Sequence, residues 1–141
     1  MNDNFGKWQS NFKNLLAHCL DKKSRGAKIA ELLAPDEEED YFVLKPKHSG
    51  FFSSTLDVLL EYLKCETLIL TGLTADICIL FTANDAYVRD FNLVIPADCV
   101  ASVELEENEH ALKYMERVLK ADTLPSTEID FGKLKKAEAR A

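Results

Sequence analysis

Leu70-Thr71-Gly72-Leu73-Thr74-Ala75-Asp76-Ile77-Cys78-Ile79-Leu80-Phe81-Thr82-Ala83-Asn84-Asp85-Ala86 is the stretch on which the fold of this chain turns. It opens at the end of an apolar run, Thr67-Leu68-Ile69-Leu70. That run is apolar on both faces, as a strand inside a parallel sheet must be. Gly72 ends the run. Residues from about Asp76 to Arg89 read as a helix with Cys78 in its first turn. A buried strand, a tight turn and a helix make half of a βαβ unit, and the parallel partner should follow.

It does, in Leu93-Val94-Ile95, a second buried strand stopped by Pro96. Glu106 to Lys120 then reads as a helix with Ala111, Leu112, Met115, Val118 and Leu119 on its buried side. Thr127-Glu128-Ile129 reads as a last edge strand, and the charged tail from Lys133 to Ala141 is expected to fray. Working backwards, Leu56, Leu59, Leu60 and Leu63 form one face of a helix. Ser54-Thr55-Leu56-Asp57 matches a capping box at its start. Tyr41-Phe42-Val43-Leu44, ended by Lys45-Pro46, reads as a strand leading into a loop. Asp36 to Asp40 is an acidic run, read as a solvated loop. Ahead of it, Ile29, Leu32 and Leu33 suggest a short helix closed by Pro35, and Phe12, Leu15, Leu16, Cys19 and Leu20 another. The alternation from 41 to 129 predicts an α/β fold with a parallel sheet covered on both faces. In such a sheet ligands sit outside the carboxyl ends of the strands. The loops after Leu44, Leu70 and Ile95 are therefore where function is expected.

The 141 residues fit one domain, and a hydrophobic share of 47% supplies a core. A formal net charge of -7 argues against a nucleic-acid partner or an anionic membrane surface. No apolar stretch approaches a spanning length, and the polar start Met1-Asn2-Asp3-Asn4 carries no signal-peptide core. A cytoplasmic protein is expected. The four cysteines, Cys19, Cys65, Cys78 and Cys99, are not in CxxC spacing, so neither a zinc knuckle nor a disulfide framework is indicated. His18 and His110 lie far apart, without an H-x-H pair or matched carboxylates. Neither a metal nor any other cofactor is expected.

Two of the strand-end loops hold reactive groups: Lys45 after the first run and Cys78 after the second. Free amides and partial positive charge at a helix N-terminus favour thiolate over thiol, and a nearby ammonium adds to this. The same amides can hold an oxyanion. A cysteine at the start of a buried helix also packs well as a small hydrophobe, and chemistry alone leaves both readings open.

The stretch from Leu44 to Leu56, with Lys45, Ser49, Gly50 and Phe51 followed by Thr55 and Leu56, resembles K-x-x-x-S-[AG]-F then T-x-L, the lysine segment of the isochorismatase-like cysteine hydrolases. The opening stretch, 70 to 86, resembles that family's nucleophile segment, tGv-x-x-x-x-C-x-x-x-T-a-x-d-A. Val94 to Ser102 is similar to its next strand and D-a-x-a-S loop. The blocks stand in the family's order and cover residues 41 to about 121. The resemblance implies a three-layer αβα fold and hydrolysis of a C–N bond in a small amide or carbamoyl compound. It implies Cys78 as nucleophile, Lys45 as catalytic lysine, and the backbone amides of Thr74 and Cys78 as oxyanion hole. It also implies a cis peptide between Leu73 and Thr74, and assembly as a homo-oligomer.

Departures from the pattern accompany the match. The family's catalytic aspartate ends its first strand, in a segment like a-L-l-v-I-D-x-Q, and no such segment is found here. Met1 to Trp8 resembles the loop after the family's second strand, so the first strands are expected to be lacking and the strands at 41–44 and 67–70 to expose edges. A late start site, a truncated chain and a shortened relative all remain open. Asp76 and Asp98 are the carboxylates that could stand in as base, against capping the helix and ordering a loop. Ala75 stands where threonine is common, and Asp90 where a helix-ending glycine is common. His48, Phe51 and Trp8 are the candidates for a substrate pocket, against a solvent-facing loop histidine and core aromatics. Besides hydrolysis, two functions stay open: a non-catalytic relative serving as a binding or oligomer-forming module, and a redox-sensing thiol with Cys99 as its neighbour.

Overall fold

The computed structural model describes residues 27–36 and 38–134. Trp8, the expected helix over Phe12–Leu20 and the tail beyond Leu134 lie outside the described residues. The chain divides into two units, Met1–Phe42 and Val43–Ala141. In the first, helix α1 (Ala27–Leu32) forms where Ile29 and Leu32 predict it. Of the acidic run after it, Asp36, Glu38, Glu39 and Asp40 are exposed, and the Asp36 amide donates to Asp40 Oδ2 at 2.7 Å. That is a solvated turn, as read.

The second unit carries helix α2 (Leu56–Tyr62), strands β1 (Thr67–Ile69) and β2 (Gly72–Leu73), and a π-helical turn (Ala75–Ile79) that runs into helix α3 (Leu80–Tyr87). Strands β3 (Asn92–Val94) and β4 (Val100–Ala101) follow, then helix α4 (Leu105–Leu119). Every ladder is parallel: Thr67, Leu68 and Ile69 face Asn92, Leu93 and Val94, while Gly72 and Leu73 face Val100 and Ala101. The two ladders are separate two-stranded sheets; the second starts at Gly72, at φ 109°, and at Val100, after the 3-10 turn Ala97–Cys99. On the far side of β3, Val94 bridges in parallel to Asp122, with Ile95 N to Asp122 O at 2.7 Å. Parallel neighbours need a crossover, and α3 and α4 supply the two crossovers into β3 and Asp122. This is the α/β class that the alternation predicts.

The core follows from side-chain periodicity. Ala75, Ile79, Ala83 and Ala86 form one buried stripe along the π turn and α3. Small residues there let the helix lie close to α4, which buries Ala111, Met115 and Leu119. Leu93, Ile95 and Val100 complete the cluster. Helix α4 ends on Lys120 at φ 58°, with Ala121 N returning to Met115 O at 3.2 Å. Asp90 ends the α3 segment at φ 64° and does the glycine's work there. The Leu73–Thr74 peptide is cis, as the resemblance implies. Among the described residues no helix is long and apolar enough to cross a membrane.

Three local expectations are corrected. Tyr41–Leu44 is not a strand: it is irregular, with Tyr41, Phe42 and Leu44 exposed. Apolar, β-prone composition makes a strand only where a neighbouring strand completes the ladder, and among the described residues none pairs with it. Thr127–Ile129 is not an edge strand either. Ser126–Glu128 is a 3-10 turn, because Asp98 accepts from both Ser126 N (2.7 Å) and Ser126 Oγ (2.6 Å) and draws the chain away from the sheet edge. The capping box before α2 is half made. Ser54 Oγ accepts from Leu56 N at 3.2 Å, but Asp57 turns outward to Arg89, whose Nε lies 2.9 Å from its carboxylate.

Candidate active site

Lys45 lies in an irregular, exposed segment, while Cys78 is half-buried in the π turn after β2. Thirty-three positions apart in sequence, they meet in space: Lys45 Nζ is 3.6 Å from Cys78 Sγ. The ammonium also donates to Lys47 O at 2.7 Å, which turns its head back over its own loop and toward the sulfur. The site lies where strand ends open, as expected for an α/β sheet.

The lysine loop is fastened to the helix that carries the cysteine. Cys78, Thr82, Asp85 and Arg89 recur at steps of four, three and four, and so share one side of the π turn and α3. Each after Cys78 holds the loop or its support. Thr82 Oγ1 donates to Cys78 O (2.7 Å) and accepts from Gly50 N (2.9 Å). Asp85 accepts from the hydroxyl of Ser49, which is buried and itself accepts from Phe51 N at 3.1 Å. Arg89 lies over the Phe51 ring, 4.7 Å from its centroid, and is held in turn by Asp57 and by Asp85 O at 2.9 Å. Ser49, Thr82 and Asp85 stand at lettered positions of the two motifs but were given no role from sequence, and Arg89 was read only as the end of the helix. The signal was available, as a polar stripe flanking the buried stripe of Ala75, Ile79, Ala83 and Ala86 on the same helix.

Phe51 is 5% exposed and packs against Phe91 at 6.1 Å between centroids. It is a core residue that seats the loop. His48 remains on the surface, its ring 5.6 Å from that of Phe81. Trp8 lies outside the described residues.

Neither carboxylate considered as a base contacts the sulfur by a hydrogen bond. Asp76 Oδ1 accepts from Ser102 Oγ at 2.6 Å, and Asp76 N donates back to Ser102 Oγ at 3.3 Å. The bond from Ser102 holds the Asp76 carboxyl below the usual carboxylate range, against the opposing pull of partial burial. The Thr74 hydroxyl lowers it further but stays outside hydrogen-bond geometry, so the anchor is Ser102. Asp76 thus ties the π turn to the residue after β4, and does not cap the helix as expected. Asp98 is also held low, first by the Ser126 hydroxyl, and orders the turn at 126–128. Cys65, Cys78 and Cys99 are all free thiols. A separate surface cleft of about 490 Å³, bordered by Asp57, Lys64, Cys65, Arg89 and Phe91 among others, includes neither Lys45 nor Cys78. Two of its charges are already paired with each other, and it stands apart from the strand-end chemistry.

A family model described as the isochorismatase domain matches residues 1–125. An uncharacterized isochorismatase family protein of Bacillus subtilis (strain 168), YaaI, is 43% identical over 129 residues, covering 92% of this chain and 70% of that protein. Among solved structures, the nicotinamidase PncA of Bacillus subtilis superposes with a TM-score of 0.61 at 30% identity, over 72% of this chain and 55% of that one. The N-carbamoylsarcosine amidase of Thermoplasma acidophilum superposes with a TM-score of 0.61 at 34% identity, over 68% of this chain and 53% of that one. The chain therefore spans about half the length of these two solved relatives.

Proposed function

Because the chain belongs to the isochorismatase family, we propose that it hydrolyses a C–N bond in a small amide or carbamoyl compound, with Cys78 as nucleophile. The observation that carries this reading is Lys45 Nζ at 3.6 Å from Cys78 Sγ. An ammionium at that range stabilises negative charge on sulfur. The thiolate attacks the carbonyl carbon, the C=O electron pair moves to oxygen, and the backbone amides of Thr74 and Cys78 receive that charge. The intermediate collapses as the C–N bond breaks, and the nitrogen leaves with the proton that the Cys78 thiol gave up on ionising. The resulting thioester is cleaved by water, which returns the thiol. Solved relatives named as a nicotinamidase and an N-carbamoylsarcosine amidase support amide or carbamoyl substrates.

One observation favours a second reading, a family member that binds such compounds without turnover. The two carboxylates weighed as base, Asp76 and Asp98, are both committed to serines. One experiment separates the two. Ammonia release is measured across a panel of carboxamides and N-carbamoyl compounds with the chain and with Cys78→Ala. Turnover that vanishes in the variant, with a mass adduct on Cys78 in the parent, is the expected result. Equal turnover in both would remove Cys78 as nucleophile. Ligand-induced rise in Tm without ammonia release would select the binding module.

A further inference from the structure

Lys45 sits in a segment without regular structure, yet its head is placed to within hydrogen-bond range of one sulfur. Something outside that segment must set its position. We infer that Thr82 is the positioning residue that sets the Lys45–Cys78 separation; this rests on the reading of that pair as the reactive centre.

A threonine hydroxyl inside a helix often bonds back to the carbonyl four residues earlier, and Thr82 does so onto Cys78 O at 2.7 Å. Its second bond is the unusual one. With its proton spent on Cys78, the hydroxyl presents its lone pairs to the lysine loop and accepts from Gly50 N at 2.9 Å. The approach leaves little space at Gly50. A Cβ there would stand 3.1 Å from Leu56 Cδ2 and 3.4 Å from Thr82 Cγ2. One turn further along the helix, Asp85 holds the adjacent Ser49, so two successive loop residues are pinned at two heights. Two anchors fix the loop's orientation as well as its distance. The contacts then close on themselves. From Cys78 O they run through Thr82 Oγ1 to Gly50 N, along the loop to Lys47 O, and through Lys45 Nζ back to Cys78 Sγ. A single hydroxyl joins the cysteine's backbone to the loop in that ring.

The test is the iodoacetamide labelling rate of Cys78, read by peptide mass spectrometry with Cys65 and Cys99 as internal references. The proteins compared are the parent chain, Thr82→Val, Thr82→Ser, Lys45→Ala and the Thr82→Val/Lys45→Ala double variant. Loss of one hydrogen bond predicts that Thr82→Val slows Cys78 about fivefold, with Thr82→Ser restoring the parent rate. In the Lys45→Ala background the Thr82→Val change should add little, because the two act through one contact. A merely structural role gives the opposite sign: a loosened loop opens the site and speeds labelling. Parent-rate or faster labelling in Thr82→Val, with Lys45→Ala slowed, overturns this inference and leaves the Lys45–Cys78 pairing standing. An unslowed Lys45→Ala overturns the pairing and this inference together. If Thr82→Val does not fold, Thr82→Ala removes the same hydroxyl without the added branch and must slow Cys78 in its place; parent-rate labelling there is equally fatal.

Discussion

Phe51 and Phe52 are neighbours in sequence and opposites in the structure, which makes them a matched pair for testing how the lysine loop is seated. Phe51 is 5% exposed and Phe52 is 55% exposed. Phe51→Ala removes a ring packed against Phe91 and covered by Arg89. Phenylalanine-to-alanine changes in packed interiors cost about 3–5 kcal/mol, the spread reflecting how far the site collapses. The Phe51 ring lies at the edge of the core under a side chain that can follow it inward, so the low end, about 3 kcal/mol, is expected. Phe52→Ala leaves no cavity and should cost under about 1 kcal/mol. The gap of about 2 kcal/mol is roughly thirtyfold in the unfolding equilibrium. The assay is urea unfolding followed by circular dichroism. With a slope of about 1.5 kcal/mol per molar, the Phe51→Ala midpoint falls by about 2 M with the slope unchanged. Phe51→Leu, costing less, serves if the alanine variant is too unstable to study. Hydrogen exchange adds a local readout: the Gly50 and Phe51 amides, bonded to Thr82 and Ser49, should lose protection in Phe51→Ala and keep it in Phe52→Ala. Equal costs for the two substitutions, or a Phe51→Ala cost under about 1 kcal/mol, would refute the claim that this ring seats the loop.

Two further outcomes follow from the same contacts. Ser102→Ala removes the hydroxyl that holds the Asp76 carboxyl low, and should cost about 1 kcal/mol at neutral pH after discounting for partial exposure. A depressed folded-state carboxyl stabilises above the unfolded pKa and loses that contribution as pH falls through the folded value. The stability difference between parent and variant should therefore be constant from pH 7 to about 5 and shrink below about pH 4; a difference that grows on acidification would be the wrong sign. Asp90→Gly relieves a left-handed residue at φ 64° and should raise Tm by roughly 2 °C, about 0.5 kcal/mol, as seen by calorimetry. A lowered Tm would mean that the Asp90 side chain contributes more than its backbone costs.

The parts of the fold legible in sequence are those whose signal is local and repeated. Leu93-Val94-Ile95 is apolar on both faces because all three side chains are buried, and α4 shows its buried stripe at Ala111, Met115 and Leu119. The strands expected at 41–44 and 127–129 failed for one reason. A strand is a relation between two segments, and composition describes only one of them. The lysine and cysteine were found through their motifs, but what joins them was not. Ser49 and Asp85 are 36 positions apart, and nothing in either neighbourhood names the other. Which of Phe51 and Phe52 goes inward is likewise decided by the turn between Ser49 and Leu56, where no period of 2 or 3.6 applies. The helix did carry a legible half of the answer. Cys78, Thr82, Asp85 and Arg89 stand at helical spacing beside the buried stripe of Ala75, Ile79, Ala83 and Ala86, and such a two-sided helix must have something polar to hold.

That two-sided helix has a consequence for how such a protein can change. The loop bearing Lys45 takes its anchors from a single helix, the one that also bears Cys78, and the sheet supplies none of the bonds described between them. The two segments therefore behave as one exchangeable cassette. Surfaces that meet a substrate elsewhere can be rebuilt by drift without disturbing the spacing of the ammonium and the sulfur. An engineer wishing to transplant the pair to another α/β scaffold would carry across the loop from Lys45 to Asp57 and the segment from Thr74 to Phe91, which keep the Phe51–Phe91 packing and the Asp57–Arg89 pair together with the two anchors.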